Sequence, residues 1–64
     1  MRKIGEITTA TTRYIIKVDE NDNYNQYKVY QKWYDCGWHT KQVEKYGNLY
    51  SCLLYIEDQV RRGR

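Results

Sequence analysis

Cys36 and His39 are separated by two residues in the run Asp35-Cys36-Gly37-Trp38-His39, and a thiol and an imidazole at that spacing suggest two chemistries. One is zinc binding. A structural zinc site presents two paired ligand sets. Here Asp35 would have to supply a ligand, and Cys52 would have to leave the inward stripe of a helix. The spacing is better read as a turn cysteine and a small core cysteine, both free thiols in a reducing compartment. The other chemistry is a thiol nucleophile activated by the imidazole. That requires a pocket and an oxyanion site, which a strand-turn tip in a chain of 64 residues does not offer. No phosphate loop, nucleophile elbow or dinucleotide fingerprint is present. Asp19, Asn21 and Asn23 alternate as in a calcium loop, but Tyr24 occupies the position of the required glycine and Tyr30 that of the bidentate glutamate. The expectation is a protein that is not an enzyme and has no cofactor or metal.

A different pattern carries more information. The run YKVYQKWYDCGWHTK, residues 27–41, holds Tyr27, Tyr30, Trp33, Tyr34 and Trp38 interleaved with Lys28, Lys32, His39 and Lys41. The chain has eight tyrosines, two tryptophans and no phenylalanine, so its rings carry polar handles suited to half-buried faces and interfaces. Eleven Lys/Arg against eight Asp/Glu give a net charge of +3, which permits phosphate contact and argues against an acidic mimic of nucleic acid. No apolar run reaches membrane-spanning length and the N-terminus lacks a signal-peptide pattern, so the expected compartment is the cytoplasm.

The elements that must position these residues are set by period and punctuation. Residues 2–8, with Ile4 and Ile7 unevenly spaced, read as a weak strand, and the Thr-rich segment 8–12 as a turn. Residues 13–18 alternate cleanly and are β-branched and aromatic, a strand. The Asp/Asn-rich segment 19–25 is a hairpin loop. Residues 26–34 form the strongest strand, 35–37 a tight turn, and 38–46 the returning strand. Asn48 is placed as an N-cap for a helix over residues 49–62. Leu49, Cys52, Leu53, Ile56 and Val60 make its apolar stripe. Glu57–Arg61 and Asp58–Arg62 are i,i+4 pairs, and Gly63 is the stop. The chain is therefore one α+β domain: a small antiparallel meander of three strands, or four with residues 2–8, and a C-terminal helix on one face.

Alternation assigns the side chains to faces. Tyr14, Ile16, Val18, Val29 and Trp33 face the helix, leaving Arg13, Ile15, Lys17, Lys28, Tyr30, Lys32 and Tyr34 outward. On the last strand, inward Trp38 sends His39, Lys41, Val43 and Lys45 outward, whereas inward Val43 moves Trp38 to the second side; the size of the indole favours the first register. The open face then carries Arg13, Lys17, Lys28, Tyr30, Lys32, Tyr34, His39, Lys41 and Lys45, with no acidic residue among them. Rings between cations can stack bases and neutralise phosphates together.

The expectation is a non-enzymatic module contacting nucleic acid through this face, with Arg13, Lys28, Lys32 and Lys41 on phosphates and Tyr30 and Tyr34 as stacking platforms. The alternative is a protein-binding inhibitor or adaptor, encoded by a phage or mobile element and docking on a host defence or nuclease complex through the same tyrosines and Trp33 or Trp38. A plain solvated face is the ordinary third outcome, since lysines commonly protect sheet edges. The small core also makes homodimerisation an expectation.

Overall fold

A computed structural model describes residues 1–10 and 12–63; Thr11, in the expected turn over 8–12, and Arg64 lie outside the described residues. Four strands, β1 (Arg2–Thr8), β2 (Arg13–Val18), β3 (Tyr27–Tyr34) and β4 (Trp38–Tyr46), precede one helix, α1 (Leu49–Arg61). The strands pair antiparallel in the order β1-β2-β3-β4, a plain meander with α1 packed over β3 and β4. Residues 2–8 are thus a full edge strand. Their uneven apolar spacing has a cause: a bulge between Lys3 and Gly5 inserts Ile4, so that Gly5 faces Ile16 and Ile7 faces Tyr14.

The core lies between the sheet and the helix. Tyr14, Ile16 and Val29 bury against Cys52 and Ile56, with Ile7, Tyr27, Val43, Tyr46 and Tyr55 partly buried around them. Cross-strand pairing explains this membership. Ile16 stands opposite Val29, and Val18 opposite Tyr27, which in turn faces Tyr46. Two-residue periodicity therefore keeps one apolar set on one side.

The helix starts and stops where its sequence directs. The Asn48 side-chain oxygen accepts the Ser51 N–H at 2.8 Å, and Gly63 closes the last turn at φ 75°. Arg61–Glu57 and Arg62–Asp58 form at 2.7 and 3.0 Å. The apolar stripe, however, is only half covered. Cys52 and Ile56 are buried, while Leu49, Leu53 and Val60 remain exposed and Tyr55 turns inward to meet Tyr46. Relative to the expected stripe, the helix presents Cys52, Tyr55 and Ile56 to the sheet.

The register of β4 differs from the one that the size of Trp38 favours. Tyr34 pairs with Trp38 and Trp33 with His39, so Trp38 shares the open face with Tyr34. His39 and Lys41 lie on the helix-side face, opposite Trp33 and Gln31. Strict alternation would also have turned Lys45 inward. A bulge between the Val29–Glu44 and Tyr30–Gln42 pairs inserts Val43, lets it pack on the core, and returns Lys45 to the open face opposite Lys28.

Candidate nucleic-acid interface

Rows of cross-strand partners define the open face. One row runs Lys3–Lys17–Lys28–Lys45 across all four strands. The next is Glu6–Ile15–Tyr30–Gln42, followed by Thr8–Arg13–Lys32–Thr40 and, on β3 and β4 alone, Tyr34–Trp38. Adjacent strands lie about 4.8 Å apart, so the lysine row places like charges side by side along about 14 Å. Like charges directly opposite one another destabilise a sheet.

Two of these lysines are neutralised from within. Lys28 is buried, and its Nζ lies 2.6 Å from the Asp22 carboxylate. Asp22 also accepts the N–H groups of Asn25 at 2.9 Å and Tyr24 at 3.0 Å. The Asn25 amide, then Lys28, then the Tyr24 amide hold its carboxyl far below the usual carboxylate range. Asp22 thus folds the 19–25 loop and caps Lys28 in one arrangement. Lys3 meets Glu6 at 3.4 Å, and the other Glu6 oxygen is 3.5 Å from Arg13. The expectation of an acid-free face is corrected by Glu6: residues 2–8 do not alternate strictly, so its side of the sheet was not readable. Lys17, Lys32 and Lys45 have no carboxylate within 4 Å among the described residues.

The rings divide unequally. Tyr30 is half-buried, with Lys17 Nζ 4.8 Å from its centroid and its hydroxyl donating to Met1 Sδ at 3.4 Å. Tyr34 and Trp38 are 68% and 58% exposed and meet at 5.4 Å with their planes at 73°. Lys32 Nζ and the Arg13 guanidinium lie 5.0 and 5.5 Å from the Trp38 ring centroid, within cation–π range. An open cleft of about 220 Å³ is lined by Thr8, Thr12, Arg13, Lys32, Tyr34 and Trp38, among others. Lys32, Arg13 and the exposed rings of Tyr34 and Trp38 therefore meet at the β3–β4 hairpin end of the sheet, while Lys17 and Lys45 lie at its other end.

Of the residues proposed from sequence, Arg13, Lys17, Lys28, Tyr30, Lys32, Tyr34 and Lys45 share the open face. His39 and Lys41 do not. The register favoured by the size of the indole leaves Trp38 off this face, although the alternative with Val43 inward places it here, and Lys3 is not among the residues proposed. A signal for Trp38 was present: a three-residue turn between Tyr34 and Trp38 makes the two direct partners, so an outward Tyr34 requires an outward Trp38.

The fold gives the Cys36 thiol and the His39 imidazole different surroundings. His39 stacks on Trp33 at 5.5 Å and its Nε2 lies 3.0 Å from the Asp35 carbonyl oxygen. Cys36 is exposed at the turn tip, φ 53°, and Cys52 is buried under the sheet, where burial pushes its thiol up. No three His, Cys, Asp or Glu side chains converge among the described residues. No helix among them is long and apolar enough to cross a membrane. No family model, curated protein or solved structure matches the chain.

Proposed function

We propose that the open sheet face is a nucleic-acid-binding surface and that the protein is a non-enzymatic binding module. The observation that carries this reading is the lysine row Lys3–Lys17–Lys28–Lys45. Within it Lys28 and Lys3 are answered by Asp22 and Glu6, while Lys17 and Lys45 have no carboxylate within 4 Å among the described residues. A polyanion lying along the row meets these two cations and releases its own counterions. Lys32 and Arg13 extend the field towards the exposed pair Tyr34 and Trp38, which supply surfaces for bases.

The test is fluorescence anisotropy with labelled oligonucleotides at about 50 and 200 mM salt. If Arg13, Lys17, Lys32 and Lys45 each meet a phosphate, affinity falls about 50- to 150-fold between the two conditions. Replacing Lys17 and Lys45 together by alanine reduces the logarithmic salt slope by about half. Absence of binding at the lower salt overturns the reading, as does binding that salt leaves unchanged.

Protein docking, as by an inhibitor or adaptor, is favoured by a separate observation. Tyr50, Leu53 and Leu54 expose apolar surface on α1, away from the cationic face. That reading predicts a partner whose capture survives salt and is lost on Leu53→Asp.

A further inference from the structure

Resting on the nucleic-acid reading, the geometry points to an unpaired strand, not a duplex, as the ligand, with a base held at the Tyr34–Trp38 corner and its phosphates on Arg13 and Lys32.

Major-groove reading of a duplex fails on shape. The major groove is about 12 Å wide and admits a helix or a two-stranded ribbon. Four strands span about 14 Å between the outer backbones before any side chain is counted. No ribbon projects beyond them. β2 ends against Lys32, through the Arg13–Lys32 pair, and β1 against Arg13, through Thr8. Beyond that row β3 and β4 continue through Trp33, Tyr34, Trp38 and His39, about 7 Å of hairpin, beside the β1–β2 connection, whose Thr9, Ala10 and Thr12 line the same cleft. The other groove-sized element, α1, has its last-turn cations engaged by its own carboxylates, Arg61 by Glu57 and Arg62 by Asp58.

The rings give the positive argument. Duplex bases are stacked on one another and present only edges and phosphates, so a duplex would leave Tyr34 and Trp38 without a role. An unpaired base has free faces. At 73°, the two rings form a corner in which a base stacks on one and abuts the edge of the other. The cations stand at the same place, 5.0 and 5.5 Å from the Trp38 centroid, so one nucleotide can satisfy ring and charge at once. From this corner the lysine row lies six residues back along β3, about 20 Å. The face therefore accommodates a strand on the order of four nucleotides long.

The experiment compares an oligothymidylate of about twelve nucleotides with a blunt duplex of the same length, at about 50 mM salt, using the full chain and its Trp38→Ala variant. Trp38 is more than half exposed, and a circular dichroism spectrum matching the parent confirms that the variant folds. The single strand is expected to bind at least about tenfold tighter, and Trp38→Ala to weaken it about 5- to 150-fold while leaving duplex binding within about twofold. Should Trp38→Ala unfold the chain, quenching of intrinsic tryptophan emission by the oligothymidylate but not by the duplex serves as the readout. Equal or tighter duplex binding, with no effect of Trp38→Ala, overturns the strand preference and leaves the nucleic-acid reading standing. Binding to neither overturns both and directs attention to protein docking on α1.

Discussion

The two faces of the sheet are made by the same four strands and differ in what answers each side chain. On the helix side, Ile16, Val29, Cys52 and Ile56 are matched by one another, and burial completes them. On the open side, the lysine row is matched only in part: Lys28 is closed off by Asp22 and Lys3 by Glu6, whereas Lys17 and Lys45 have no carboxylate within 4 Å among the described residues. Lys28 and Lys45 are direct cross-strand partners, yet one is buried and the other exposed. A cation in a strand pattern therefore does not show whether it is available. The position of the nearest carboxylate does, and here Asp22 lies six residues from the lysine it engages.

Breaking the helix side has the largest effect. Ile56→Ala removes a side chain that is 2% exposed, and truncations of this kind cost about 2–5 kcal/mol. For a domain this small that is a large share of its total stability. Thermal or urea unfolding should show it, and any loss of oligonucleotide binding should track the unfolded fraction alone.

The closed end of the open face comes next. Asp22→Asn removes the acceptor of Lys28 and weakens two loop amide bonds. The folded carboxyl sits below its ordinary value, so its contribution is fully present above about pH 4 and is lost as pH falls through the folded pKa. The variant should unfold earlier than the parent at neutral pH, and the gap should narrow as pH falls below about 4. A gap that is the same at about pH 7 and pH 2.5 contradicts the assignment.

Lys45→Glu is the smallest perturbation and the one that separates the demands of folding from those of binding. It replaces a like-charge pair opposite Lys28 by an opposite-charge pair, which stabilises a sheet by about 0.2–1 kcal/mol. The same change removes a phosphate contact. Stability is expected to rise while oligonucleotide affinity falls. A fall in both would mean that Lys45 is structural.

Much of this fold was legible in the sequence because local signals agreed. Alternation over 13–18, the Asp/Asn loop, the Asn48 cap and the i,i+4 pairs of α1 each specify their element without reference to distant residues. The two bulges could not be read. Each inserts one residue and reverses the facing of the residues beyond it, so Ile4 obscured β1 and Val43 obscured β4. The same limit applied to the site. Arg13, Lys17, Lys32 and Tyr34 lie where alternation puts them. Trp38, His39 and Lys41 depended on the turn between Tyr34 and Trp38, and the size of the indole was a poorer guide than the length of that turn. The engagement of Lys28 by Asp22 is a tertiary fact, set by how the 19–25 loop folds back.

Binding of nucleic acid by one face of the sheet is tested most directly by an amide chemical-shift map of the ¹⁵N-labelled protein titrated with a short oligothymidylate. Perturbations centred on Arg13, Lys17, Lys32, Tyr34, Trp38 and Thr40, with the Trp38 indole N–H shifting and the Trp33 indole N–H unmoved, are the predicted result. Perturbations centred on α1 or on His39 and Lys41, or no perturbation at all, contradict it.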